Sequence, residues 1–174
     1  GTFANIRIKN MILDNVEGGY TKSFISNKQL SIYDAAQEYI KSNIDTVIIA
    51  GKEYGTGSSR DWAAKGTRLL GVKAVIAESF ERIHRSNLIG MGVLPLEFVN
   101  KQNKTNLNIL GNEIISISGI SELKPGAKLN CKINRETNNS IELRCRIDTN
   151  KELEYYKAGG ILNYVLNAII SEAA

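Results

Sequence analysis

The sequence predicts an α/β fold in which a mixed parallel and antiparallel sheet is flanked by helices. The first half of the chain alternates helical and strand patterns, which favours parallel strands joined by helical crossovers. The second half holds short strand patterns separated by turn-rich segments, which is typical of antiparallel pairing. No repeat or low-complexity linker divides the 174 residues. The whole chain, residues 1–174, is therefore predicted to form one domain.

Hydrophobic periodicity and end signals place the elements of the first half. Ser31 and Asp34 make a capping-box-like start, and one apolar helical face follows them. Three short apolar runs then predict buried strands, separated by two helical patterns that end at glycine. The strands are expected at Thr46–Ala50, Val72–Ala77 and Val93–Phe98, and the helices at about Ser59–Leu70 and Ser79–Leu88. In the second of these helices, Phe80 and Ile83 are expected to face inward.

The second half predicts three more strands and two terminal helices. Alternating Ile141, Leu143 and Cys145 indicate a hairpin arm with one buried face. Gly159 and Gly160 separate a charged helix from an apolar one. The strands are expected at Glu113–Ser118, Lys128–Ile133 and Ser140–Ile147, and the helices at Lys151–Lys157 and Ile161–Ile170.

The composition excludes several classes of protein. Hydrophobic residues make up 43% and charged residues 23%, which is the ordinary globular range, and no apolar run reaches the length of a membrane span. The net charge of +4 permits nucleic acid as a partner but does not demand it. A single histidine, His84, excludes a multi-histidine metal site. Cys131 and Cys145 cannot supply every ligand of an iron–sulfur cluster, and are interpreted as small, half-buried strand residues.

The start of the chain indicates a piece of something longer. Gly1 stands where a methionine would begin an open reading frame, and no signal-peptide pattern follows it. We therefore expect a domain of a larger protein, located in the cytoplasm or an equivalent reducing compartment.

The stretch from Ala50 to Gly66 carries the strongest signal of chemistry. Gly55 and Gly57 allow a tight turn after a buried strand, where ligands bind in open α/β sheets. Ser58 and Ser59 then open a helix whose free N–H groups favour an anion. Arg60 lies in the first helical turn, where a cation is mildly unfavourable unless it pairs with a bound carboxylate or phosphate.

This loop matches neither standard nucleotide motif. No lysine follows the second glycine as a P-loop requires, and Arg60 stands where the dinucleotide pattern needs its last glycine. A purely structural interpretation also exists, because Ser58 and Asp61 have the spacing of a capping box. An anion site and a helix cap both remain open on spacing alone.

Taken as a whole, the segment Gly51–Gly66, GKEYGTGSSRDWAAKG, closely resembles the active-site signature in the last domain of aconitases of the aconitase A and iron-regulatory-protein branch. Matches in the family order extend over nearly the whole chain. They include GTFANIR at residues 1–7, AESFERIHRSNLIGMG at 77–92, VLPLE at 93–97 and GGILNY at 159–164. The resemblance implies a swivelling β/β/α domain that closes over an active site.

The same resemblance implies a function and residue roles. Family members interconvert citrate and isocitrate through cis-aconitate, a reaction of the tricarboxylic acid cycle. Ser58 would be the base, and Ser59 and Arg60 would bind substrate carboxylates. The family's four-iron, four-sulfur cluster would be held by N-terminal domains outside this chain, which alone is expected to be inactive and to bind no metal.

Other interpretations compete with that one. Iron-regulatory proteins of this branch bind hairpin RNA, and Asp61 and Trp62 match positions near the RNA-contacting region. The small subunit of an isopropylmalate isomerase and an anion-binding domain without chemistry are further alternatives. His84 is interpreted as a helix residue hydrogen-bonded near the loop, without a catalytic role, and Trp62 is expected to pack in the core. No membrane partner is expected.

Overall fold

A computed structural model describes residues 9–57, 60–134 and 139–173. Ten strands and five α-helices lie in these ranges, together with a short 3-10 helix at Met11–Leu13. The strands are β1 Lys9–Asn10, β2 Val16–Glu17, β3 Tyr20–Lys22, β4 Gln29–Ser31, β5 Thr46–Ile49, β6 Val72–Ala77, β7 Leu94–Phe98, β8 Ile114–Ser118, β9 Lys128–Asn134 and β10 Asn139–Cys145. The helices are α1 Ile32–Lys41, α2 Arg60–Leu69, α3 Arg82–Gly90, α4 Asn150–Lys157 and α5 Ile161–Ala173.

A six-stranded mixed sheet in the order β5-β6-β7-β10-β9-β8 forms the centre of the molecule. β5, β6 and β7 are parallel, with Ile49 opposite Ile76 and Ile76 opposite Leu96. The prediction of a parallel first half is therefore confirmed. The helices α2 and α3 connect these three strands. Both strand-to-helix loops therefore lie at the carboxyl ends of the parallel strands, at the same end of the sheet.

The second half of the chain adds the antiparallel part of the sheet. β10 pairs with β7 on one side and β9 on the other, and β8 completes the sheet beyond β9. Residues Ile141, Leu143 and Cys145 alternate toward the core as predicted, because the side-chain period of a strand is two. Residues 135–138, between β9 and β10, lie outside the described residues.

The N-terminal part of the described chain is an addition that periodicity did not predict. Two short hairpins, β1 with β2 and β3 with β4, precede α1. Ser31 caps α1 by accepting a hydrogen bond from the backbone N–H of Asp34 at 3.0 Å, which confirms the predicted capping start. Of the predicted apolar face, Ala35 and Ala36 are buried, whereas Ile40 is exposed.

The main core lies against the sheet and contains both cysteines. Cys131 and Cys145 lie in strands, as predicted, but they are fully buried among aliphatic residues and not half-buried. Burial raises the pKa of the Cys131 thiol to about 11, and burial likewise raises the pKa of Cys145. Both side chains therefore stay protonated at neutral pH.

A buried arginine joins α3 to the residue that follows β10 and to α4. Arg85 donates to both carboxylate oxygens of Glu152, at 2.9 and 3.1 Å, and to the backbone carbonyl of Arg146 at 2.6 Å. Burial raises the pKa of the Glu152 carboxyl, but Arg85 and two backbone N–H groups outweigh this and hold the pKa below its ordinary value. The arrangement fixes α3, whose N-terminal half contacts the candidate site.

Two of the predicted core positions are wrong, and one helix begins later than predicted. α3 begins at Arg82, because Glu81 caps it by accepting from the N–H of His84 at 2.8 Å. Ile83 therefore turns outward and is 37% exposed. Trp62 is 61% exposed, since α2 buries Ala64 and Thr67 on its other face. Among the described residues, no helix combines the length and the hydrophobicity needed to span a membrane.

Candidate functional site

The loop after β5 is tied by its backbone to the segment after β6. Ala50 donates to Ile76, and Glu78 donates back to Gly51, so the parallel pairing continues past the end of β5. Tyr54 then donates to the carbonyl of Ser79 and accepts from the N–H of Glu81, both at 3.0 Å. The two loops at the carboxyl edge of the sheet thus form one hydrogen-bonded unit.

Side chains strengthen this connection. The hydroxyl of Ser79 accepts a hydrogen bond from the N–H of Glu53 at 2.8 Å, and the hydroxyl of Thr56 donates to the carbonyl of Glu53 at 2.6 Å. Glu53 itself has a φ of 52°, which belongs to the left-handed region. The tight turn is therefore held by both loops before the chain reaches residue 57.

Gly55 lies directly on the ring of His84. The backbone of Gly55 has a φ of +96°, and a Cβ built there would lie 2.2 Å from Cγ of His84. His84 is only 2% exposed and belongs to the N-terminal half of α3. Glycine is required at this position both for its conformation and for the space that the imidazole occupies. The interpretation of His84 as a helix residue near the loop is confirmed in its location.

Tyr54 provides the other contact of the loop with α3 and the core. Its ring meets His84 edge-on with centroids 5.3 Å apart, and meets Phe80 in the same way at 6.0 Å. Burial raises the pKa of the Tyr54 hydroxyl, an effect that a hydrogen bond with Thr67 of α2 partly offsets. Tyr54 therefore packs between the two helices that flank the loop.

Of the predicted site residues, the structure describes only the backbone of Arg60, which is the first residue of α2, as expected for a first-turn position. Ser58 and Ser59 lie outside the described residues. The described loop ends at Gly57, and α2 begins at Arg60. Free N–H groups and the positive end of the helix dipole at such a terminus attract an anion.

The described part of the chain does not fit the ligand set of an iron–sulfur cluster. In residues 9–57, 60–134 and 139–173, no three His, Cys, Asp or Glu side chains come together as a metal site. Cys131 and Cys145 are buried in strands with protonated thiols, whereas cluster ligands are thiolates. The two cysteines therefore stabilise the core of this domain.

A large cavity lies elsewhere on the molecule. It has a volume of about 630 Å³ and is lined mainly by aliphatic side chains of α1, β5 and β8. None of residues 50–57 lines it. The cavity and the loop are therefore separate features. The aliphatic lining of the cavity also offers few hydrogen-bond partners for carboxylates.

The residues that hold the loop in place were not predicted from the sequence. Tyr54 and Ser79 belong to separate segments, and only the parallel pairing of β5 with β6 brings them together. A weak signal existed, since both follow buried strands whose carboxyl ends share one sheet edge.

Comparison with known proteins assigns these segments to a family. The profile described as the aconitase C-terminal domain matches residues 1–101. An aconitate hydratase A from Pseudomonas aeruginosa is 60% identical over 173 residues, which cover 98% of this chain and 19% of that protein. The aconitate hydratase A of Thermus thermophilus is 52% identical over 175 residues, which cover 99% of this chain and 19% of that protein.

The chain thus spans about a fifth of the length of the curated relatives it matches. Among solved structures, a 3-isopropylmalate dehydratase from Methanocaldococcus jannaschii is 25% identical. The match covers 83% of this chain and 82% of that one, with a TM-score of 0.48.

Proposed function

The chain belongs to the aconitase C-terminal domain family, and on this premise we propose that it is the last domain of an aconitate hydratase. In this proposal the domain supplies a serine base and two carboxylate-binding residues for the interconversion of citrate and isocitrate through cis-aconitate. Its relatives that bear the name aconitate hydratase A match nearly all of its length.

One observation carries the proposal. The loop from Ala50 to Gly57 is hydrogen-bonded to the neighbouring loop, rests on His84 and leads into the N-terminus of α2. A site that handles carboxylates needs rigid N–H donors and a fixed cation, because binding free energy is lost when loose groups must be ordered. An anchored loop that ends at a helix N-terminus meets that need.

In the proposed mechanism, Ser58 takes the proton from the carbon next to a substrate carboxylate. The C–H electron pair forms the double bond of cis-aconitate, and the hydroxyl group on the neighbouring carbon leaves to groups in the remainder of the polypeptide. A serine hydroxyl is a weak base, so its alkoxide must be stabilised by nearby N–H groups and positive charge. Ser59 and Arg60 bind the substrate carboxylates, and the planar guanidinium of arginine suits two parallel hydrogen bonds. In rehydration Ser58 returns a proton to carbon, so the base is regenerated in each cycle.

The rest of the machinery is assigned to the remainder of the polypeptide. In the family the four-iron, four-sulfur cluster acts as a Lewis acid when bound, and its ligands are proposed to lie outside these 174 residues. The described residues support this division, because their two thiols are buried in strands. Citrate, cis-aconitate and isocitrate are the proposed small-molecule partners.

Replacing Arg60 in the full-length polypeptide tests the proposal. Arg60→Lys keeps the charge but loses the bidentate geometry, so kcat/KM for citrate is expected to fall by roughly one to three powers of ten. The matched control is Arg68→Lys in the last turn of the same helix, which should leave the kinetics unchanged. Equal kinetics for wild type and Arg60→Lys would remove Arg60 from the site.

An exposed tryptophan favours RNA as a second candidate partner. Trp62 is exposed next to the candidate site, and the ammonium group of Lys65 lies 4.7 Å from the centre of its ring. An exposed aromatic ring beside a cation is a surface on which a single-stranded base could stack. A citrate-binding role and an RNA-binding role would then use adjacent turns of α2.

A further inference from the structure

The last helix carries an apolar stripe that the described residues leave uncovered. The stripe consists of Leu162, Val165, Leu166, Ile169 and Ile170, which recur at intervals of three and four residues and so share one face of α5. Their side chains are between 48% and 79% exposed. Monomers expose single apolar residues routinely, but a continuous stripe of this kind marks a contact surface.

The N-terminal turn of α5 is held by contacts with α4 and α3, which fix the orientation of the helix and of its apolar stripe. Tyr164 accepts a hydrogen bond from the ammonium group of Lys151 in α4, and its ring lies edge-on to Tyr155 with centroids 5.0 Å apart. The turn before α5 also contacts the end of α3, since a Cβ at Gly160 would lie 2.8 Å from the carbonyl oxygen of Gly90. From residue 165 to residue 172, every side chain is exposed.

Contacts within the described residues do not account for the stability of α5 in water. Isolated helices of this length are marginal, and helices in proteins derive most of their stability from packing of an apolar face. α5 has 13 residues, and of residues 161–172 only Tyr164 is partly buried. A further surface is therefore needed to cover the apolar stripe.

The size of the stripe argues against a second copy of the chain as that surface. A helix of 13 residues is about 20 Å long and about 10 Å wide, which gives a footprint of roughly 200 Å². Stable association of separate proteins buries about 800 Å² on each partner. A segment of the same polypeptide needs much less area, because its effective concentration is already high.

We propose that the apolar stripe of α5 docks onto an apolar groove formed by the part of the polypeptide outside these 174 residues. The curated relatives are about five times as long as the region they share with this chain, so a large body of polypeptide is available to form the groove. The inference rests on the proposed function only in that it takes the chain as one domain of a longer protein. No catalytic role is assigned to α5.

Cysteine protection in the full-length polypeptide tests the docking. Leu166→Cys places a thiol in the stripe, and Asn167→Cys places one on the next residue, about 100° around the helix and equally exposed in this domain. Cys131 and Cys145 are buried and do not compete. Labelling by a maleimide, followed peptide by peptide with mass spectrometry, is expected to be at least tenfold slower at position 166. Equal labelling rates would overturn the proposal.

Two further measurements separate this proposal from its alternatives. Citrate turnover is assayed in the same preparations. Protection at position 166 without turnover would support docking while rejecting the proposed function, and turnover with equal labelling would reject docking alone. The mass in solution is measured over a range of concentrations. Protection that disappears as a dimer dissociates would identify a second copy as the partner and overturn the proposal.

Discussion

Gly55 rests on His84 so closely that a Cβ on the glycine would lie 2.2 Å from Cγ of the imidazole. The loop that leads to the proposed catalytic residues is therefore positioned by direct contact between its backbone and a buried ring of α3. This relationship yields the first prediction, which concerns the loop without touching any proposed catalytic group.

Gly55→Ala is expected to destabilise the chain by about 2 kcal/mol, because it combines the strain of a positive φ with a steric clash. In the full-length polypeptide, citrate turnover is expected to fall about a hundredfold, since a loop displaced by about 1 Å misplaces its reactive groups. Thermal unfolding and steady-state kinetics measure the two effects.

Gly57→Ala is the matched control in the same loop. Among the residues that the structure describes, a Cβ at Gly57 meets nothing within 4 Å, and the φ of Gly57 does not lie in the left-handed region. If the two variants behave alike, the contact with His84 does not position the loop. Combining Gly55→Ala with His84→Ala should restore part of the loss, because the space for the methyl group is then available.

The second prediction separates the two interpretations of Ser58. If Ser58 is only a helix cap, Ser58→Ala costs about 1 kcal/mol of stability and leaves turnover almost unchanged. If Ser58 is the base, Ser58→Asn keeps a good cap but lowers kcat by a factor of about 10² to 10⁴. KM should change much less, because the residues proposed to bind the carboxylates remain.

Kinetics of the full-length variants, with cluster content checked by absorbance, provide this measurement. Turnover near that of the wild type in Ser58→Asn would refute the assignment of the base. Ser58 would then be a cap next to an anion site, as its spacing from Asp61 also allows.

A third prediction concerns the pH dependence of stability. The pKa of Glu152 lies below its ordinary value of 4.5 in the folded chain. Its contribution to stability is therefore complete above about pH 4.5 and is lost as the pH falls through the lower, folded-state pKa. Glu152→Gln should cost about 2 kcal/mol at neutral pH, since the buried Arg85 then keeps only Asp148, 3.6 Å away, as an acidic partner. The difference from wild type should shrink in acid.

Urea unfolding of this variant at several pH values measures the effect. Glu154→Gln serves as the control on the same helix, because the side chain of Glu154 is about half exposed. A constant difference between wild type and Glu152→Gln from neutral pH to pH 3 would contradict the assigned pKa.

The fourth prediction tests RNA as a partner. Trp62→Ala should change the free energy of unfolding by less than about 0.5 kcal/mol, because the ring is mostly exposed. If a base stacks on Trp62, the same change should weaken binding to a stem-loop by about 1 to 3 kcal/mol. Lys65→Gln should reduce the slope of log K against log salt by about one.

Binding titrations of the full-length polypeptide at several salt concentrations provide the data for RNA. Identical affinities for wild type and Trp62→Ala would exclude stacking on this ring. The stability measurement is informative in any case, since a large loss would mean that Trp62 packs in the full-length protein.

The sheet was largely predictable from the sequence because its strands are long apolar runs bounded by clear turns. Each of the six central strands lies within about two residues of its predicted range. The hairpins β1 with β2 and β3 with β4 were not predicted, since two or three residues are too few to show a period. Of these two hairpins, the one formed by β3 and β4 contacts α1.

The prediction that Trp62 packs in the core was wrong because it rested on the size of the side chain. The contacts that hold the candidate site could not be predicted because they depend on which strands pair. A single large ring is usually core, but on α2 the small residues Ala64 and Thr67 occupy the buried face, which lets the helix approach closely. The loop itself was predictable from its glycines and its place after a buried strand. That His84 and Ser79 hold it followed only from the parallel register of β5 and β6.

Glycines allow other segments to contact α3 closely at both of its ends. Gly55 presses on the helix near its N-terminus, while Gly160 abuts Gly90 at its C-terminus and a Cβ at Gly92 would lie 2.6 Å from the carbonyl oxygen of Gly159. From His84 to Gly90 the helix is a rod of about 9 Å. Backbone contacts hold α3 at both ends, and the hydrogen bonds of Arg85 hold it between them. The loop after β5 and the turn before α5 therefore rest on opposite ends of the same helix.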